Sequence, residues 1–243
     1  MKNTFVIIFL IGFSFVSFGK SIKSEKIVLG AANWCPYTCP TMANKGFVTE
    51  FISNILKENG IELEVQFFPW KRAISMAKRG EISGLLTAAH REAPELKFTR
   101  YPSTSYRSCF YSNEKNHKQI KDKKEFLNKK IGVISGYSYG DKIDNFLEKI
   151  GKNLVTVHGE DGQRRLQGLL KSKRIDYFVE DEKVSSFKLG NSLKPVFCGE
   201  ESPVFLAVND KRSINLKVLD ILNKELHKKK AKLIVMQWLS MLE

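Results

Sequence analysis

The chain has 243 residues, 42% of them hydrophobic and 27% charged, and 40 Lys and Arg against 26 Asp and Glu give it a net charge of +14. This apolar content is enough to build a core, so it excludes a disordered chain, a collagen and a scaffold held by disulfides alone. Only one segment is apolar enough to enter a bilayer, which excludes a protein with several membrane spans.

The N-terminus has the pattern of an export signal. Lys2 precedes an uncharged apolar run over residues 4–18, and Ser17 and Gly19 are small residues at the positions that a signal peptidase reads. The run has 15 residues, whereas a spanning helix needs about 20. We therefore predict a signal peptide over residues 1–19 and a mature protein in the periplasm, with an uncleaved anchor as the alternative.

Four cysteines lie in the predicted mature chain, an even number that suits an oxidising compartment. Three pairings are possible, and we favour Cys35 with Cys39, in a loop-like stretch, and Cys109 with Cys198, each in a strand-like run. Zinc binding is disfavoured because the pairs lack C-x-x-C spacing and the four histidines show no ligand spacing. The x-x-x spacing between Cys35 and Cys39 is also one residue too long for a redox motif.

Strands and helices alternate along the first part of the mature chain. Apolar residues from Phe47 to Leu56 repeat with helical spacing, and Asn59 followed by Gly60 is a stop signal. The predicted order is a strand at 26–32, a helix at 47–58, a strand at 62–68, a helix at 70–78 and a strand at 82–87. This order predicts a mostly parallel sheet with helices on both faces.

The alternation restarts after a polar, Lys-rich stretch at 113–124. Here we predict a strand at 130–135, a turn at 136–140, a helix at 141–150, a strand at 153–158, a helix at 162–171, strands at 174–179 and 204–208, and a helical tail at 215–242. Two α/β units separated by a single crossover predict two lobes with a cleft between them.

Five short motifs follow one another along these elements. They are an aromatic-x-Pro-aromatic turn at 34–37, a Gly-Phe-x-x-acid helix start at 46–50, an aromatic helix start running to a Gly turn at 70–80, a Gly-Val-x-x-Gly turn at 132–136 and an Asp-x₄-Asp segment within 174–181. In order and spacing, the motifs resemble those of the periplasmic solute-binding proteins of the polar amino-acid type, the family 3 receptors that serve ABC importers. Residues 92–98 look more like an uncharacterised branch of that family.

The resemblance implies an α/β fold of the type II periplasmic-binding-protein class. Two lobes, each a mostly parallel sheet flanked by helices, would be joined by two hinge strands and would close on one small ligand. We assign residues 26–110 and 204–243 to lobe 1 and residues 111–203 to lobe 2. The hinge strands are predicted within 98–110 and 195–204, where a bridge between the two cysteines would tie them together.

A receptor for a zwitterion needs an aromatic wall, a cation for the carboxylate and an acid for the ammonium group. Trp34, Tyr37 and Trp70 are the candidates for the wall, with ordinary core packing as the alternative. Arg91 could grip a carboxylate through paired hydrogen bonds, or it could be a solvated surface group. Thr87, just before it, is assigned to the same binding site.

Ser138 and Asp181 complete the predicted binding site. Ser138 precedes a predicted helix, where its hydroxyl and nearby backbone N–H groups could cradle an anion or cap the helix. Asp181 follows a predicted strand at the edge where α/β sheets place ligand groups, so it could accept from an ammonium group or pair with Lys183. Asp176 is expected to be structural and to bond neighbouring backbone.

The predicted function is a non-enzymatic receptor that captures an amino acid or a related organic acid for an ABC permease, as a monomer without cofactor or metal. One alternative is a dehydratase-like enzyme on the same fold, with Glu50, Glu180 and His90 as candidate acids or bases. Another is a basic protein that binds polyanions or a membrane surface. The lysines show no aromatic interleaving, so we expect no nucleic-acid partner.

Overall fold

A computed structural model describes residues 25–113, 119–159, 161–189 and 193–239. Within these residues, nine strands, numbered in chain order with the bounds given below, form one sheet in the order β2-β1-β3-β9-β5-β8-β6-β7, with β4 beside β9. The predicted signal peptide at 1–19 lies outside the described residues. No helix in the described part of the chain is both long enough and apolar enough to cross a membrane.

The first half-sheet consists of β1, β2 and β3 with the end of β9. Both β2 and β3 run parallel to β1, and α1 and α2 lie between them in the chain, as predicted. Helix α2 ends at Gly80, whose φ of 80° is the left-handed value that glycine adopts without strain. The elements are β1 (Glu25–Ala31), α1 (Phe47–Glu58), β2 (Ile61–Phe67), α2 (Trp70–Arg79) and β3 (Gly84–Ala88).

The second half-sheet consists of β5 to β8 with the start of β9. Strand β6 runs parallel to β7 and β8, whereas β5 is antiparallel to β8. The predicted helices at 141–150 and 162–171 have the predicted bounds. The elements are β5 (Thr104–Tyr111), β6 (Ile131–Ile134), α3 (Asp141–Ile150), β7 (Leu154–Val157), α4 (Gly162–Lys171) and β8 (Tyr177–Asp181).

Strand β8 differs from the prediction. It starts three residues later than the predicted strand at 174–179 and leads directly into a helix that was not predicted, α5 (Glu182–Leu189). Asp181 is the last residue of the strand and also caps the helix, because its Oδ1 accepts the backbone N–H of Val184 at 2.9 Å. An eight-residue helix offers too few turns for its apolar repeat to stand out in the sequence.

Strand β9 (Pro195–Val208) spans both half-sheets. It pairs antiparallel with β3 and with β4 (Lys97–Phe98) at one end and with β5 at the other. The predicted hinge segment at 195–204 and the predicted strand at 204–208 are therefore one continuous strand. Its middle residues are partly exposed, so they lack the apolar alternation that indicates a strand.

Both favoured disulfides form, one between Cys35 and Cys39 and one between Cys109 and Cys198. Cys109 lies directly opposite Cys198 in the β5–β9 ladder. The helical tail is α6 (Ser213–Leu239), which packs on the first half-sheet and against α1. Two apolar clusters lie mainly on each half-sheet, and one of those on the first also includes Tyr106 of β5 and Val184 of α5.

Candidate functional site

A small cavity of about 50 Å³ lies where the two half-sheets meet. Its walls come from residues at or just beyond the carboxyl ends of β1, β3, β6 and β8, together with residues of β5, β9 and the start of α2. Ligands of α/β proteins bind at the carboxyl ends of parallel strands. Since both half-sheets contribute, a molecule held here would contact both.

Aromatic rings form much of the cavity wall. Trp34 stacks on Tyr37 with ring centroids 4.0 Å apart and meets the ring of Tyr106 edge-on at 5.7 Å. Tyr37 is fully buried behind Trp34 rather than part of the lining. The aromatic lining residues are Trp34, Trp70, Tyr106, Tyr137 and Tyr139.

The turn that carries Trp34 is fixed from two sides. The disulfide between Cys35 and Cys39 closes it, and Gly46 lies against its back. A Cβ on Gly46 would come within 2.4 Å of the Tyr37 carbonyl oxygen, and its φ is 94°, so only glycine fits at this position. The stacked ring pair is therefore held by a rigid turn.

Glu92 reaches the cavity from a short 3₁₀ turn that follows β3. Its Oε1 accepts hydrogen bonds from Trp70 Nε1 at 2.9 Å and from the backbone N–H of Ser138 at 3.0 Å, and its Oε2 accepts from the Ala89 N–H at 2.8 Å. Desolvation raises the pKa of Glu92 to about 7, against the effect of these donors. Sequence reasoning missed Glu92, although it lies next to the chosen Arg91.

Asp181 is buried beside the cavity and accepts three hydrogen bonds. Tyr37 Oη donates to its Oδ2 at 3.2 Å, the backbone N–H of Arg107 donates to the same oxygen at 3.0 Å, and the Val184 N–H donates to Oδ1. Burial raises the pKa of Asp181 to about 6, while these donors act in the opposite direction. The predicted acid is thus part of the lining and also holds the start of α5.

Glu180 and Ser108 are two further deeply buried polar residues of the lining. Glu180 accepts a hydrogen bond from the Asp181 N–H at 2.9 Å, and burial raises its pKa to about 7. Ser108 is 1% exposed, and its hydroxyl has no hydrogen-bond partner among the described residues. Buried polar groups normally have partners, so this hydroxyl is available to a bound molecule.

Arg91 lies outside the cavity. Its guanidinium group forms ion pairs across the cleft with residues of α3, at 3.3 Å to Asp144 and 3.0 Å to Glu148. It lines a wider groove of about 720 Å³ on the outer side of Glu92. The structure therefore brings Arg91 to the junction of the two half-sheets but not into the cavity.

Thr87 and Ser138 both line the cavity, as do Trp34, Trp70 and Asp181. The Ser138 hydroxyl donates to Asp144 Oδ2 at 2.6 Å, and the Ser138 carbonyl accepts from Tyr106 Oη at 2.9 Å. The side chain of Ser138 thus bonds within its own loop and α3.

Of the candidate acids and bases, the structure brings only Glu180 to the cavity. Glu50 accepts a hydrogen bond from Asn44 on the first half-sheet, and His90 is exposed and stacks on Phe98. Asp176 accepts the backbone N–H of Lys130 at 2.7 Å, which is the structural role expected for it.

No protein-family model matches this chain, and no curated protein matches it. Several solved structures match the chain over most of its length. An amino acid ABC transporter substrate-binding protein, AbpA from Streptococcus pneumoniae bound to L-arginine, superposes with a TM-score of 0.71 and 15% identity over 89% of this chain and 94% of its own. A mutant of ArgBP from T. maritima superposes with a TM-score of 0.71 and 17% sequence identity, over 90% of this chain and 96% of its own.

A third structure is that of the ancestral amino acid-binding protein AncCDT-1, which is described as a precursor of cyclohexadienyl dehydratase. It superposes with a TM-score of 0.65 and 17% sequence identity, over 85% of this chain and 90% of its own. The chain has the periplasmic-binding-protein fold. The expectation of a two-lobed α/β fold is confirmed, and the two half-sheets described above are the cores of the lobes. At these identities the likeness shows the fold alone.

Proposed function

We propose that this chain is an exported, non-enzymatic solute-binding protein that captures one small polar solute between its lobes and delivers it to an ABC permease. It would work in the periplasm, as a monomer, after removal of residues 1–19. Lobe 1 would comprise residues 26–110 and 204–243, and lobe 2 residues 111–203.

The observation that carries this proposal is a cavity walled by both lobes at the carboxyl ends of their strands. A solute that contacts both lobes adds interactions only when they are closed, so it shifts the population toward closure. A hydrogen bond across the cleft, from the backbone N–H of Ser138 to Glu92 Oε1, supports a closed state of defined geometry.

The nature of the lining supports a solute with an ammonium group. The carboxylates of Glu92, Glu180 and Asp181 could receive it, and Trp34 and Trp70 could wall its apolar part. An amino acid fits the proposal on these grounds, and the neighbour AbpA is described as bound to L-arginine. A related organic acid without an ammonium group is less well supported, because it would meet three acids.

A screen of amino acids, amines and small organic acids by thermal shift tests the proposal. A solute at 100 times its Kd should stabilise the protein by about 2.7 kcal/mol. Small-angle X-ray scattering should then show a smaller radius of gyration. Trp34→Ala should reduce the shift, whereas Phe187→Ala, at a side chain 40% exposed on α5, should not. The proposal fails when no solute stabilises the protein or changes its dimensions.

An enzyme on the same fold is the second candidate, and one observation favours it. Burial raises the pKa of both Glu92 and Glu180 to about 7, near the value that suits a general acid or base. The neighbour AncCDT-1 is described as the precursor of a dehydratase. Steady turnover of a small carboxylic acid by the purified protein, lost in Glu180→Gln, would favour the enzyme over the receptor.

A further inference from the structure

Building on the proposed function, we infer that the solute is a small organic cation, an amine whose positive nitrogen is held among Glu92, Glu180 and Asp181 and which lacks the carboxylate of an amino acid. The amine would contact both lobes, because Glu92 belongs to the first half-sheet, whereas Glu180 and Asp181 are the last two residues of β8 in the second.

The charged residues of the lining all carry the same sign. The described residues that face the cavity include three acids and no Lys, Arg or His. Glu180 and Asp181 are each 3% exposed, and ionised carboxylates buried this deeply are costly without a positive partner. Lys188 acts on Glu180 and Lys183 acts on Asp181, but both are on α5 and neither lines the cavity. A bound ammonium group would supply the missing charge inside the cavity.

The described lining residues offer no corresponding partner to a carboxylate. Arg91, the residue that would grip it, is paired with Asp144 and Glu148 of α3 and faces the outer groove. Inside the cavity, a carboxylate would lie beside three acids, which repel it. The arrangement therefore discriminates between an amine and the corresponding amino acid.

Ser108 gives an independent indication of a ligand. Its hydroxyl is fully buried, lines the cavity and has no hydrogen-bond partner among the described residues. Ser108 lies opposite Asp181 in the β5–β8 ladder, so hydroxyl and carboxylate belong to neighbouring strands of the second half-sheet. The Ser108 hydroxyl oxygen can accept a hydrogen bond from an ammonium N–H that does not bond to one of the three acids.

The walls and the size of the cavity narrow the class further. The faces of Trp and Tyr rings attract cations, and Trp34, Trp70 and Tyr106 are part of the wall. The cavity is small, with a volume of about 50 Å³, which favours a short alkylamine over a long one.

Titration calorimetry with matched pairs tests the inference. Ethylamine is compared with alanine, and isobutylamine with valine, since each pair differs only by the carboxylate; propionate is the acid without an amine. The amines should bind at least tenfold more tightly than their amino acids, and propionate should not bind. Tighter binding of an amino acid or of propionate overturns this inference and leaves the proposed function intact. When no solute in the wider screen binds, both fail.

Two variants locate the binding. Glu180→Gln keeps the volume and removes the charge, so amine affinity should fall at least tenfold, and Ser108→Ala should lower it several-fold. Glu95→Gln, at an exposed acid whose side chain is 61% accessible, should leave it unchanged. Amine affinity that is the same in both cavity variants as in the wild type overturns the inference. Should Glu180→Gln not fold, Ser108→Ala decides alone.

Discussion

Glu92 and Ser138 connect the two lobes through a single hydrogen bond, in which the backbone N–H of Ser138 donates to Glu92 Oε1 at 3.0 Å. The same oxygen also accepts a hydrogen bond from Trp70 Nε1, which is on lobe 1. An acid fixed to one lobe thus holds the loop before α3 of the other lobe. We expect this contact to link the charge of Glu92 to the closure of the cleft.

Glu92→Gln should destabilise the closed protein. Glu92 accepts from three donors on its two oxygens, and a glutamine NH₂ would face at least one of those donors without an acceptor. Leaving a buried donor unsatisfied costs about 1–3 kcal/mol, which denaturant unfolding can measure. Glu95→Gln, at the exposed acid of the same segment, should change stability by less than about 0.5 kcal/mol. Equal effects would contradict the role of Glu92.

Ser108→Ala should raise the stability of the ligand-free protein. The substitution removes a buried hydroxyl that has no hydrogen-bond partner within the part of the chain that the structure describes, and the desolvation of such a group costs about 1–3 kcal/mol. The matched control is Ser103→Ala, because the Ser103 hydroxyl donates to the Val204 carbonyl and its loss should be destabilising. Urea unfolding of both variants checks that the two substitutions change the free energy of unfolding in opposite directions. A loss of stability in Ser108→Ala would indicate a partner for this hydroxyl.

Arg91→Ala should favour the open state. Its ion pairs with Asp144 and Glu148 cross between the lobes, so their loss should weaken solute affinity by a few-fold and enlarge the radius of gyration. The effect should shrink in high salt, because exposed charges are screened. Arg79→Ala is the control, since Arg79 pairs with Glu81 within lobe 1. Solute affinity unchanged by Arg91→Ala at low salt would contradict this expectation.

The ligand-free protein should become less stable between pH 5 and pH 8. Folding raises the pKa of Glu92 and Glu180 from 4.5 to about 7 and that of Asp181 from 3.8 to about 6. The folded state therefore keeps protons that the unfolded state has lost, and the free energy of unfolding falls as pH rises through this window. Asp144, next to Glu92, acts in the same direction because burial raises its pKa.

Calorimetry at pH 5 and pH 8 measures this effect. A loss of 1 kcal/mol lowers the Tm of a protein of this size by about 2–4 °C. A bound amine should reduce the difference, since it neutralises the acids as they ionise. Glu180→Gln should flatten the profile, whereas Glu95→Gln should not. A Tm of the ligand-free protein that rises from pH 5 to pH 8 would contradict the prediction.

The two disulfides should contribute unequally to stability. The bridge between Cys109 and Cys198 spans 89 residues, and that between Cys35 and Cys39 spans 4. Loop-closure entropy assigns about 4–5 kcal/mol to the long loop and about 2 kcal/mol to the short one. Unfolding of the two paired Cys→Ser variants tests the order. A larger loss for the short bridge would show that the rigidity of the Trp34 turn matters more than chain entropy.

The local elements of this fold could be predicted from sequence. Helix α1 has the predicted bounds because its apolar residues repeat every three to four positions and Asn59 and Gly60 end it. The alternation of strands and helices also indicated two parallel half-sheets. Helix α5 was missed because a single capping acid, Asp181, is its main signal, and that residue was already assigned to the site.

The cavity could be predicted only in part. Trp34, Trp70, Thr87, Ser138 and Asp181 were predicted as ligand-binding residues, which stays a prediction, and all five line the cavity. Glu92 was missed and Arg91 preferred, although the two are adjacent, because residue type alone favours an arginine for a zwitterion. Which of two neighbouring side chains faces inward depends on the 3₁₀ turn at 90–92 and on what packs against it.

The sequence by itself determined the α/β alternation, the number of cysteines and the aromatic turn, since these depend on residue type and on spacing within about twenty positions. The sign of the charge inside the cavity was decided by the tertiary structure alone. Glu92 and Ser138 are 46 residues apart, and Tyr37 and Asp181 are 144 apart. Contacts over such distances exist only after the two half-sheets have closed on each other, and no local pattern encodes them.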